Sequence, residues 1–243
     1  YFKTGAVSFA MACVCFLIHG SDAYYKAGCE AVRSVLELTA FNMFVSCDNR
    51  SLLKLSSSRL RVAEYSRYEG SHRSWRFLGK FRALEACLSS SDDDLIMLLD
   101  ADAMLLQPLD DCLVRAALNQ HLLGMVEQTT ITGSTMNRAA FWDHYRRHSL
   151  AFIAPHLAPP VPSAFRFFNS GVILGQRTAM SAVTRWALLE ISRSSSDHHM
   201  GQHMIADQDY FQVWTNSLYP GICQELPWEW NHCEYWDTGF PRR

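Results

Sequence analysis

The segment Asp94-Leu-Ile-Met-Leu-Leu-Asp100-Ala-Asp102-Ala-Met-Leu-Leu106 sets a short apolar run directly ahead of two acids. Leu95 to Leu99 has strand length and no polar interruption, the pattern of a strand buried on both faces of a parallel sheet. Such sheets build their sites outside the carboxyl ends of the strands. In extended chain, residues i and i+2 point to one side, so Asp100 and Asp102 are expected to converge on one object. Two neighbouring carboxylates repel unless a proton or a cation lies between them. A solvated loop after a strand shows the same two acids; the apolar run in front ties this pair to a rigid core element.

Outward from that run, strand and helix patterns alternate. Ser8 to Ile18 reads as a strand, His19-Gly20-Ser21-Asp22 as a turn with a helix-capping residue, and Ala23 to Leu38 as a helix. Phe41 to Val45 and Arg61 to Tyr65 read as strands, and Trp75 to Leu88 as a helix before the solvated turn Ser89 to Asp93. The order β-α-β-β-α-β predicts a mostly parallel sheet with helices on its faces. The second half is less regular. His121 to Val126 reads as a strand, Met136 to His148 as a helix and the proline-rich Pro155 to Pro162 as a loop. Phe165 to Gly175 reads as a strand interrupted at Asn169-Ser170-Gly171, followed by a helix over Thr178 to Ser192. Ser194 to His203 is expected as a polar loop, Ala206 to Leu218 as a helix, and Leu226 to Asn231 as an extended aromatic loop.

Composition narrows the class. The 243 residues, 49% hydrophobic and 19% charged, suit one α/β domain with a sizeable core and exclude a disordered chain. A net charge of −2 without a Lys/Arg run gives duplex nucleic acid no electrostatic foothold. The apolar run Ala6 to Ile18 is too short to span a bilayer and is taken as the first buried strand, so no transmembrane segment is expected within this chain. The eight cysteines form no C-x-x-C pair. Cys13, Cys15 and Cys87 read as small buried thiols, while Cys223 and Cys233 flank a Trp-rich loop and are placed to be bridged in an oxidising compartment.

Four features carry candidate chemistry. Asp100 and Asp102 are the first. Phe168-Asn169-Ser170-Gly171-Val172 is the second: small polar residues breaking a strand let a ligand approach the backbone, although a bulge alone gives the same pattern. Asp207-Gln208-Asp209 opens a helix, where acids also serve as first-turn caps. Leu226-Pro227-Trp228-Glu229-Trp230-Asn231 is either a packed aromatic turn or a stacking platform. His198, His199 and His203 lie in a Ser/Asp/Gly-rich stretch and read as a solvated loop rather than a metal site.

In order and spacing, Ser21-Asp22-x-Tyr24, Lys80, Leu99-Asp100-Ala-Asp102, Phe168-Asn169-Ser170-Gly171, Asp207-Gln208-Asp209 and Leu226-Pro227…Trp230-Asn231 resemble retaining nucleotide-sugar glycosyltransferases of the GT-A fold. The likeness spans about residues 8 to 235 and is greatest to the glycogenin, lipopolysaccharide galactosyltransferase and xyloside xylosyltransferase group. The glycosyltransferase domain of collagen lysyl hydroxylases is also similar. The resemblance implies a single GT-A domain over residues 1–243, with a nucleotide-binding half over 1–112 and a donor-sugar and acceptor half over 113–243.

It further implies a UDP-sugar donor, a glycan or glycoprotein acceptor, and Mn²⁺ or Mg²⁺ held by Asp100 and Asp102. Ser21, Asp22, Tyr24, Lys80, Asp100, Ala101, Asn169, Ser170 and Gly171 would bind the donor, with Tyr24 against the base. Asp207 and Gln208 would stand beside the anomeric carbon as supporting groups rather than as a nucleophile. Trp228, Trp230 and Asn231 would receive the acceptor. Relatives of this type work in the endoplasmic reticulum or Golgi lumen, or in the cytoplasm, so compartment stays open.

One departure stands out. The family completes its metal site with a histidine in a C-terminal H-x-x-G or H-x-N-G motif, and none occurs here. A chain truncated at its C-terminus is the expected explanation; His232 as substitute, or ligation by two carboxylates alone, are the alternatives. Two other functions share the fold: a nucleotidyltransferase, which would carry a Gly-rich basic loop that His19 to Tyr24 lacks, and an inactive sugar- or nucleotide-binding protein.

Overall fold

The computed structural model describes residues 12–65, 75–128, 137–193, 199–200 and 203–231. Within them the chain runs β1 (Ala12–Ile18), α1 (Asp22–Leu38), β2 (Asn42–Cys47), β3 (Leu60–Glu64), α2 (Trp75–Ser90) and β4 (Leu95–Leu99). There follow α3 (Asp111–Leu118), β5 (Leu123–Glu127), α4 (Arg138–His144), a π-helical stretch (Tyr145–Leu150) and the short α5 (Ala151–Ile153). The remainder is β6 (Phe168–Gln176), α6 (Arg177–Arg193), β7 (His199–Met200), β8 (His203–Met204), α7 (Asp207–Val213), a second π-helical stretch (Trp214–Leu218) and β9 (Cys223–Leu226). A 3₁₀ turn (Trp228–Asn231) closes it.

Seven strands form one sheet in the order β3-β2-β1-β4-β6-β5-β9. β1 pairs in parallel with both β2 and β4, β2 with β3, and β5 with β9; β6 alone runs antiparallel to its neighbours. The expected mostly parallel sheet is present, and β4 lies at its centre.

Strand alternation splits the core in two. Cys13, Cys15, Leu17, Ile96, Leu98, Met125 and Ile173 face a layer built on α2, α6 and α7. Val14, Phe16, Ile18, Met97, Leu99, Val126 and Leu174 face α1 and α3. All residues of β1 and β4 are buried, as their unbroken apolar runs require. Cys13, Cys15 and Cys87 are buried free thiols in the first layer.

Several boundaries differ from the sequence expectation. β6 is continuous through residues 169–171, where an interruption was expected. Its pairing to β4 is regular up to Leu99↔Val172, but on the other edge Met125 pairs Ile173 while Glu127 pairs Phe168. The register therefore shifts against β5 over residues 169–172, while Val172 keeps its pairing with Leu99 of β4. The segment expected as one polar loop, 194–203, contains β7 and pairs with β8 in a small antiparallel ribbon. The end expected as an extended loop starts with β9, which adds an edge strand beside β5. The acids expected in extended chain sit instead in a tight turn, with the Ala103 amide donating to the Asp100 carbonyl at 2.9 Å. Among the described residues no helix is long and apolar enough to cross a membrane.

Candidate functional site

The parallel strands deliver the β1–α1 loop, the turn after β4 and the end of β5 to one side of the sheet, and antiparallel β6 begins there. Into that side projects Lys80 from α2. Its Nζ lies 2.5 Å from Asp100 Oδ1 and 2.7 Å from Asp207 Oδ2, and donates to the Ser170 carbonyl at 3.4 Å. Lys80 and Asp207 are buried, at 8% and 2% exposure. Burial alone would lower the Lys80 ammonium, but Asp100 and Asp207 outweigh it and hold it above the ordinary lysine range. Burial pushes the Asp207 carboxyl above its usual range, with Lys80 pulling the other way. The cluster is thus built around a charged lysine.

Asp100 reaches this position because its amide donates to the Gly171 carbonyl at 2.9 Å, extending the β4–β6 ladder by one bond. Ala101 is buried against the second core layer, and Asp102 is exposed in the same turn. Tyr24 registers both acids: burial, then Asp100 and Asp102, push its phenol up to about 12. Three carboxylates against one ammonium leave the cluster net negative, a charge and donor set that suits a hard divalent cation. Among the described residues no group of three His, Cys, Asp or Glu side chains is arranged to hold a metal. His232, and with it the Cys233 and His198 considered above, lies outside the described residues. Asp100 and Asp102 are the residues here that could hold such a cation.

The β1–α1 loop is fixed locally. Gly20 has φ +101°, in the left-handed region that favours glycine, and its amide points at the Asp48 carboxylate, 3.3 Å from each oxygen. Tyr25 donates its hydroxyl to Asp48 at 2.5 Å and accepts from the Asn49 amide at 2.7 Å. Ser21 caps α1, accepting from the Tyr24 amide, and Asp22 sits exposed in the first turn. The Tyr24 ring lies 5.7 Å from that of His19, tilted by 49°.

A third side of the site is amide-rich. Asn169 Oδ1 accepts from the Gly171 amide at 2.7 Å and from Asn231 Nδ2 at 2.5 Å, which ties the 3₁₀ turn after β9 to the bulge of β6. A Cβ on Gly171 would come within 2.9 Å of Asn169 Oδ1 and 3.2 Å of the Asn231 amide, so glycine is required for this close approach. Trp230 packs against the second core layer, whereas Trp228 is exposed. Gln208, second in α7, donates from Nε2 to Gln128 Oε1 at 2.8 Å.

Asp209 belongs to the scaffold: its carboxylate accepts from the Ala206 amide (2.9 Å), from Ser149 Oγ (2.5 Å) and from His144 Nε2 (3.2 Å). Lys80, Asp100, Ser170, Gly171 and Asp207 therefore form one connected network, and Asn169 with Asn231 a second one sharing Gly171. Two residues the sequence reading did not single out, Asp48 and Gln128, support this site. Asp48 had a signal, as a polar residue ending a strand parallel to β1. Gln128 had none, because its partner is 80 positions away.

No protein-family model and no curated protein sequence matches the chain. Solved structures do. The apo bifunctional glycosyltransferase WbbM superposes with a TM-score of 0.58 at 15% identity, over 92% of this chain and 40% of that one. Mouse xyloside xylosyltransferase 1, also apo, gives 0.53 at 17% identity over 94% of this chain and 90% of its own. This chain thus spans less than half the length of WbbM but nearly all of the xylosyltransferase structure. It has the GT-A-like fold of these glycosyltransferases.

Proposed function

We propose that this protein transfers a sugar from a UDP-sugar to an acceptor hydroxyl, retaining anomeric configuration and using a divalent cation at Asp100 and Asp102. The observation that carries the reading is the Lys80–Asp100–Asp207 cluster at the carboxyl end of the central strand of a glycosyltransferase fold. Such a fold places ligands at that edge of the sheet, and the buried ammonium fixes two carboxylates where a polyhydroxy ligand can accept and donate hydrogen bonds.

The roles follow from the chemistry of each group. The donor's diphosphate must leave with its charge compensated; a cation held by the two acids would neutralise it when bound. Tyr24, half-buried beside both acids, offers an aromatic face to the base and a phenol that stays protonated at neutral pH. Ser21 and Asp22 in the first turn of α1 and the Asn169–Gly171 bulge would border the nucleotide and the sugar. Lys80 holds Asp207 in one rotamer, so that the carboxylate and the neighbouring Gln208 amide form a fixed polar surface against positive charge developing at the sugar ring. Among the described residues the buried carboxylates Glu127, Asp207 and Asp209 each have a cationic or amide partner, which favours front-face attack with the departing phosphate taking the acceptor proton. Trp228, which is exposed, would offer its ring to a sugar or other flat acceptor face.

The test is release of UDP from a panel of UDP-sugars in the presence of Mn²⁺. Turnover of at least one donor, lost in Asp102→Asn, is expected; no release from any nucleotide sugar contradicts the proposal.

A further inference from the structure

The side-chain amide of Gln208, second in α7, has a chemistry that depends on which way it faces. An amide presents a donor on one side and an acceptor on the other, and only the carbonyl oxygen stabilises positive charge. Gln208 is half-buried and turns its Nε2 toward buried Gln128, whose Oε1 accepts it at 2.8 Å. Gln128 is itself held. Its backbone N–H donates to the Phe167 carbonyl at 2.6 Å, just beyond the pairing of Glu127 with Phe168, which fixes the main chain from which the side chain reaches Gln208. The next residues of α7 are equally fixed: Gln212 brackets the Phe168 backbone, accepting from its amide at 3.2 Å and donating to its carbonyl at 2.5 Å. Asp207, one residue before Gln208, is pinned by Lys80.

From this we propose that Gln128 is a positioning residue for sugar transfer: it engages the Gln208 NH₂ and so leaves the Gln208 carbonyl oxygen facing the donor sugar. The inference rests on the proposed transferase reading and adds a residue to it. Gln128 touches no substrate. It acts by choosing the orientation of a group that does, and the benefit appears as charge builds at the anomeric carbon, hence in kcat more than in KM.

The choice of substitution separates orientation from mere packing. Gln128→Glu keeps an acceptor for the Gln208 NH₂ and removes any donor that could flip it. Gln128→Met keeps the volume and removes the partner. Both lose the native amide, and Gln128→Glu, which brings a carboxyl into a buried position, is expected to lose the more thermal stability. Kinetically they should differ: Gln128→Glu stays within about threefold of wild-type kcat, while Gln128→Met falls by about tenfold, the rate equivalent of one misdirected neutral hydrogen bond. Donor KM should change by less than about twofold in both.

A readout that needs no donor accompanies this. The side-chain NH₂ of Gln208, labelled with ¹⁵N and assigned by its loss in Gln208→Met, should exchange slowly with solvent in wild type and Gln128→Glu and rapidly in Gln128→Met. Equal kcat in wild type and Gln128→Met, equal loss in both variants, or a Gln208 NH₂ that exchanges rapidly in wild type each overturns the inference. Failure of the transferase reading itself is seen separately, as a wild-type protein that turns over no donor.

Discussion

Lys80 Nζ lies 2.7 Å from Asp207 Oδ2, joining the middle of α2 to the first residue of α7 across 127 positions of sequence, with both groups buried. The same ammonium holds Asp100 at 2.5 Å. One cation therefore sets the spacing between the turn after β4 and the start of α7. Removing it leaves a buried carboxylate without its counter-charge. Lys80→Met is expected to lower the unfolding free energy by about 3–5 kcal/mol, the usual cost of breaking one side of a buried pair. Lys80→Met/Asp207→Leu, which removes both buried charges, should recover part of that loss. Urea denaturation of the three proteins checks this, and no recovery in the double variant would argue against a direct pair.

Asp102 is exposed and carries no comparable structural duty. Asp102→Asn should leave stability within about 0.5 kcal/mol of wild type, as ordinary surface substitutions do, while abolishing transfer. A variant that folds and still turns over donor at the wild-type rate would remove Asp102 from the site.

Gly171 tests the close approach of the β6 bulge to the turn after β9. Gly171→Ala puts a methyl 2.9 Å from Asn169 Oδ1 and 3.2 Å from the Asn231 amide. It should destabilise by about 1–3 kcal/mol, in line with other overpacked sites, and weaken donor binding. Calorimetric unfolding beside the donor KM gives both numbers; an unchanged melting temperature would mean that the Asn169–Asn231 contact yields freely.

Tyr24 supplies the pH test. Burial and the two aspartates push its phenol up to about 12 in the folded protein, against about 10 for an unfolded chain. The folded state holds this proton more tightly, so the associated stability is present below the unfolded value and is lost as pH rises through the folded one. Ultraviolet difference titration of wild type against Tyr24→Phe should place the transition above the ordinary tyrosine range. Asp102→Asn should move it down, since it removes one of the two repelling charges. A Tyr24 transition that does not respond to Asp102 would show that the turn and α1 do not face each other.

Much of this was legible along the chain, and the parts that were not share a cause. The buried strands β1 and β4 announce themselves through runs without polar residues, and the Asp100-x-Asp102 end of β4 follows from them. β9 was missed because Cys223-Gln-Glu-Leu226 is a short, polar edge strand, covered on one side only and so lacking an apolar signature. A break or a bulge stayed open at residues 169–171 because small polar residues mark irregularity without saying on which edge it falls; the register shifts against β5, and Val172 still pairs with β4. Asp100 and Asp102 were expected as strand residues, yet the strand stops at Leu99 and the chain turns there, with Asp100 on Lys80 and both acids still near Tyr24. Asp207 and Asp209 looked equivalent at the start of α7, and folding separates them: Asp207 meets Lys80, whereas Asp209 caps the helix and binds Ser149 and His144. Periodicity reports burial, but it does not report which distant side chain arrives at a buried polar one.

The most direct measurement is isothermal titration of UDP into the wild-type protein with and without Mn²⁺. The account predicts binding that requires the metal and disappears in Asp102→Asn while the fold persists. Binding of equal strength without metal, or none in its presence, would contradict it.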